Sequence, residues 1–176
     1  MEQEKNMLDW KEMPVYPQLL TGRSPDGVAV VKGGPEYPGL QGRVWFWQSS
    51  TGTVVSPWVE GLPVGENGPC GEGVFALHLH EGGACTGTEE KPFADAEGHY
   101  NPDGCEHPFH RGDLPPLFAD RRGKAWYAVL SDRFTVEEVL GRTVIIHARQ
   151  DDFTTQPSGN AGEMIACGVI RKYTRE

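Results

Sequence analysis

Five of the six histidines lie between residues 78 and 113, and the sixth, His147, ends a separate apolar run, Thr143-Val144-Ile145-Ile146-His147. Any fold that uses all six together must carry His147 back beside the other five. Imidazoles gathered in this way point to metal. They suit zinc, copper, iron and nickel, and Asp113 among them favours zinc.

The scaffold reads as β-structure. Short β-type runs cover Val28–Val31, Gly42–Gln48, Thr53–Val59, Val74–His80, Ala125–Leu130, Arg142–Ala148 and Met164–Ile170, and turn residues such as Ser49-Ser50-Thr51-Gly52 separate them. That pattern predicts an all-β sandwich or barrel of antiparallel strands. Thr135–Leu140 is the one stretch with helical character, enough for a single turn. Residues 81–124 and 148–162 are strand-poor, and loops of that length in a compact domain are usually functional. They flank the histidines.

A chain of 176 residues suits one domain. We divide it into an amino-terminal extension over 1–26, a domain over 27–171 and a tail over 172–176. The net charge of −9 opposes binding to nucleic acid or an anionic membrane surface. No run approaches the ~18 apolar residues of a transmembrane helix. The start, Met1-Glu2-Gln3-Glu4-Lys5, has no apolar signal core, so a cytoplasmic location is expected. In strand 42–48, Val44 and Phe46 facing the core would turn Trp45 and Trp47 outward together. Such a patch marks an interface, either a homodimer contact or cover by the extension.

Side chains at i and i+2 of a strand share a face, so His78 and His80 form half of a metal site. Alone, such a pair is more often a surface feature at a strand end. His107-x-x-His110-x-x-Asp113 is a second cluster in a Pro/Gly-bounded loop, and His99 lies between the two. Their joint occurrence shifts the balance to metal. No free Glu stands as a base beside three ligands, which disfavours a zinc hydrolase. Four cysteines without a CxxC pair argue against a zinc ribbon, and cytosolic conditions would oppose disulfides that are not well protected.

These motifs resemble the copper–zinc superoxide dismutase family. The matching segments are His78-Leu79-His80-Glu81, Cys85, Gly98-His99-Tyr100-Asn101-Pro102, His110-Arg111-Gly112-Asp113, Gly141–His147, Gly159-Asn160-Ala161-Gly162 and Ala166–Ile170. Gly112-Asp113-Leu114-Pro115 and Asp152–Pro157 look closest to the bacterial branch. The resemblance implies a Greek-key β-barrel of two packed sheets that disproportionates superoxide to oxygen and hydrogen peroxide. Copper would be held by His78, His80, His99 and His147, with structural zinc on His99, His107, His110 and Asp113. His99 and His147 would carry the catalytic roles, His99 as the shared imidazolate that takes up a proton on reduction. Asp151 would link a copper-side to a zinc-side histidine, assigned as His78 and His107. Cys85 and Cys167 would form the family disulfide. Cys70 and Cys105 have no counterpart; a second bridge between them stands slightly ahead of two unpaired thiols.

One position departs. Three residues before Cys167 the family places an arginine at the rim of the copper channel, and this chain has Met164 after Glu163. Losing that charge should slow anion capture, with Arg111 and Arg149 as substitutes to consider. A non-catalytic copper- or zinc-binding protein of the same fold is the alternative reading.

Overall fold

β-branched and aromatic residues at alternating positions build ten strands in a computed structural model that describes residues 23–65 and 73–174. They are β1 (Gly27–Gly33), β2 (Gln41–Gln48), β3 (Thr53–Glu60), β4 (Val74–Phe75), β5 (Leu77–His80), β6 (Leu117–Phe118), β7 (Ala125–Trp126), β8 (Val129–Ser131), β9 (Thr143–His147) and β10 (Met164–Lys172). Eight form one antiparallel sheet in the order β5-β9-β10-β1-β2-β3-β7, with β8 also paired to β3. β4 pairs with β6 in a small second sheet, and β6 lies against β7. The curled sheet and this short pair together enclose the core, a Greek-key order in which β5 comes after β3 and β4 in sequence but lies across the barrel from β3. Within 81–124 the two-residue β6 is an addition to the sequence reading.

The strands that carry histidine are buried on both faces. Leu77 and Leu79 of β5 and Val144 and Ile146 of β9 enter the main core with Phe46, Val55 and Ile170. His78 and His80, and Thr143, Ile145 and His147, point to the opposite face, yet all are buried. The long loop after β5 covers them. Ile145 packs there with Phe93, Ala96 and Cys167, and Thr143 Oγ1 donates to Gly82 O at 3.0 Å. A disulfide joins Cys85 of that loop to Cys167 of β10, with Cα atoms 5.6 Å apart.

The loop is also hydrogen-bonded to the free edge of β5. Leu79 N–H donates to Gly112 O at 2.8 Å, and Tyr100 N–H donates to Leu79 O at 2.8 Å. His80 is thereby bridged to His99, and His78 to Asp113. Gly112 permits this close approach, because a Cβ there would collide with Leu79 O. Arg142, at the start of β9, stacks on the Tyr100 ring at 4.1 Å and donates to Glu81 O. One α-helical turn, α1 (Val136–Val139), is closed by a capping box in which Thr135 and Glu138 satisfy each other's backbone N–H.

Val44 and Phe46 are fully buried, as the alternation required, but Trp45 and Trp47 are only half exposed. Trp47 Nε1 donates to Arg23 O, so the incoming chain covers it. Among the described residues the tryptophans most open to solvent are Trp58 (53%) and Trp126 (57%), cross-strand partners on β3 and β7. Residues 1–22 lie outside the described residues, and so does Cys70. Cys105 is exposed and carries a free thiol, so the bridge expected between them is not among the described bonds.

Candidate metal centre

Eight side chains drawn from β5, β9 and the two long loops converge beneath the loop cover. Two groups of ligand atoms each lie within 4.8 Å of one another: His78, His80, His99 and His147, and then His99, His107, His110 and Asp113. His99 belongs to both. Asp151 belongs to neither group and lies between them.

The hydrogen bonds fix which nitrogen is free in four of the six rings. His78 Nε2 donates to Asp151 Oδ2 at 2.7 Å, so its lone pair is at Nδ1. His80 Nδ1 donates to Glu97 O at 2.8 Å and His147 Nδ1 to Gly162 O at 3.1 Å. Both rings are therefore left with a lone pair at Nε2, and these two atoms stand 3.3 Å apart. Two facing lone pairs at that distance repel unless a cation takes both. His107 Nε2 donates to Asp151 Oδ1 at 2.8 Å, again leaving Nδ1 free. His99 Nδ1 contacts Asp113 Oδ1 at 2.8 Å and His110 Nδ1 at 3.3 Å.

Three buried ring nitrogens have no hydrogen-bond partner: His78 Nδ1, His99 Nε2 and His107 Nδ1. His107 Nδ1 lies 3.1 Å from Asp113 Oδ2, but not in hydrogen-bonding alignment. A buried polar atom left unmatched costs ~1–3 kcal/mol, and all three face into one or other ligand group. The donor set therefore fits two metal ions.

Burial pushes the imidazoles of His78, His80, His110 and His147 below their ordinary pKa, His147 to about 3. They are neutral at pH 7, the state a metal requires. Burial opposes ionisation of Asp151, yet hydrogen bonds from His78, His107 and the Phe153 N–H outweigh it and hold the carboxyl well below its usual range. At Asp113 burial likewise works against the charge, and the His99 hydrogen bond with the three neighbouring imidazoles prevails.

Several supporting groups were not visible in the sequence. Gln156 clamps the His107 backbone, accepting from its N–H at 3.0 Å and donating to its carbonyl at 2.7 Å. Gly159, at φ +67°, leaves room for the Asp151 carboxylate, which a Cβ there would strike. Arg133 donates to the carbonyls of Pro108 and His110. The backbone acceptors at Glu97 and Gly162 carry no side-chain signature at all.

The sequence profile of the copper/zinc superoxide dismutase (SODC) family matches residues 40–170. The chain belongs to that family. It is 33% identical over 144 residues to superoxide dismutase [Cu-Zn] 2 of Aquifex aeolicus, covering 74% of this chain and 78% of the relative. It is 30% identical over 146 residues to the copper chaperone for superoxide dismutase of Rattus norvegicus, covering 76% of this chain and 49% of that one. Among solved structures, the Cu/Zn superoxide dismutase from Brucella abortus superimposes with a TM-score of 0.67 at 27% identity, covering 81% of this chain and 97% of that chain. Copper and zinc are the cofactors that go with the family.

In this copper/zinc superoxide dismutase relative, a cavity of about 620 Å³ gives access to the site. His80, His99, His110 and His147 line it, whereas His78, His107 and Asp151 do not. Met164 lines it as well, beside Phe93, Pro92 and Pro157. Neither arginine considered from the sequence does. Arg111 is held by Asp103 at 2.6 and 2.9 Å and by Glu138 at 2.9 Å, and Arg149 donates to Asn160 at 3.1 Å. Among the described residues Lys91 is the cation on the cavity wall, which it shares with Glu90, Glu97, Glu106 and Glu163. No sequence pattern singles out Lys91.

Proposed function

We propose that the protein is a superoxide dismutase that holds copper on His78, His80, His99 and His147, and zinc on His99, His107, His110 and Asp113. The observation that carries this reading is His99. Its Nε2 is buried and unpartnered on the four-histidine side, and its Nδ1 lies among the ligands of the second group. One imidazole serving two sites is the arrangement a bridging ligand needs.

Copper, when bound, supplies the one-electron cycling that oxidises one superoxide and reduces the next. The chain's own residues position that chemistry. Asp151 and the carbonyls of Glu97 and Gly162 hold three rings with their free nitrogens inward. Asp113 anchors His99 from the Nδ1 side, so the ring can take or release a proton at Nε2 without leaving its place on the cavity wall. His78 and Asp151, sealed behind, keep water from the rear of the site.

Capture of an anion is the weak step. A focused positive potential raises encounter rates by ~10–10³-fold, and one lysine among four glutamates supplies little of it. Dismutation by the copper- and zinc-loaded full chain should therefore be measurable in pulse radiolysis but below the diffusion ceiling. Met164→Arg should raise it about tenfold at low ionic strength, and the gain should shrink as salt is added. A fully loaded chain that shows no dismutation would overturn the proposal. It would favour a copper-binding role without turnover, a reading supported by the acidic cavity and by the similarity to a copper chaperone.

A further inference from the structure

We propose that the Met164 thioether is a soft donor to the copper group, acting when copper is in its reduced state. The inference rests on the copper assignment above and adds a fifth residue to it.

Met164 is the cross-strand partner of His147 in the β9–β10 ladder. Directly opposed residues of an antiparallel pair point to the same face with Cβ atoms ~5 Å apart, so Met164 accompanies His147 on the metal side of the sheet. The ladder slips between Met164 and Ala166. That irregularity leaves Ile165 in the main core while Met164 packs against the Phe93–Cys167 cluster and lines the cavity with His80, His99 and His147. Met164 therefore lies on the open side of a four-nitrogen group, and the buried His78 closes the other side.

The chemistry of the position is distinctive. A guanidinium there would repel a metal cation and attract an anion, whereas a thioether is neutral, polarisable and a ligand of choice for copper(I). Met164 thus exchanges a group that serves the anionic substrate for one that serves the reduced metal. The surrounding glutamates, Glu90, Glu97, Glu106 and Glu163, act in the same direction by favouring a cation in the cavity.

Met164→Leu keeps the volume and removes the sulfur. In the full chain loaded with copper and zinc, it should lower copper(I) affinity about tenfold in competition with bathocuproine disulfonate and leave copper(II) affinity unchanged. For a one-electron couple that is a fall of about 59 mV in reduction potential. X-ray absorption of the ascorbate-reduced protein should show one sulfur neighbour to copper, lost in Met164→Leu. It should persist in Cys105→Ser, the thiol that lines the same cavity. Reduced copper with nitrogen neighbours only, or sulfur that disappears with Cys105→Ser, would overturn the proposal and leave the copper assignment intact. A chain that takes up no copper would overturn both.

Discussion

Asp151→Ala should weaken both metal groups in a single step, by about 10–100-fold each, the usual cost of removing a hydrogen-bond partner of a ligating histidine. Its two oxygens accept from His78 Nε2 at 2.7 Å and from His107 Nε2 at 2.8 Å, one ring from each group. Without the carboxylate, each ring can rotate or take the other tautomer, and a buried N–H is left unmatched at ~1–3 kcal/mol. The second loss deepens the first, because the site binds metal only with Nδ1 of both rings turned inward. Chelator competition for copper and for zinc on the variant would measure the two affinities separately. Weakening of one metal alone would contradict a shared brace. Gly159 offers a milder version of the same test, since any side chain there must displace Asp151.

The second large effect concerns the loop cover. The Cys85–Cys167 bridge closes a loop with a sequence separation of 82. In the chain-entropy account a loop of that length contributes about 4.5 kcal/mol by restricting the unfolded chain. Cys85→Ala combined with Cys167→Ala should lower the urea unfolding free energy of the metal-free protein by about 4–5 kcal/mol. The effect should reach the metals as well. The bridged loop covers Thr143 and Ile145, and it supplies the Glu97 carbonyl that orients His80. The double variant should therefore bind copper more weakly even under conditions where it remains folded. Unchanged stability would mean that the cover is held by packing alone, contrary to the small cluster found under it.

Legibility in the sequence followed the range of the forces involved. Period-two alternation is local, so the strands and the shared face of His78 and His80 could be read directly. The apolar run before His147 also read as a strand, although its burial on both faces became evident only with the loop in place. Family resemblance implies the grouping of His99, His107, His110 and Asp113, and a bracing role for Asp151 between the groups, where local pattern alone does not. Interactions that depend on distant partners were beyond reach. Arg111 looked free to attract an anion, but Asp103 and Glu138, 8 and 27 residues away, hold it. Trp47 read as an outward-facing residue covered by a second subunit or by the extension, and it is the Arg23 carbonyl of that extension that accepts from its indole N–H. Glu97 and Gly162 contribute only backbone oxygens, and no residue type announces those. Gln156 and Lys91 belong to loops whose path no short-range pattern predicts.

In the proposed assignment one imidazole, His99, serves two metals at once. This is tested most directly by electron paramagnetic resonance of the full chain carrying copper(II), with cobalt(II) in place of zinc. If His99 bridges the two ions, the copper(II) signal is lost through magnetic coupling when cobalt binds, and it returns when diamagnetic zinc replaces cobalt. A copper(II) signal at full intensity, with cobalt bound to His107, His110 and Asp113, would mean that His99 does not bridge.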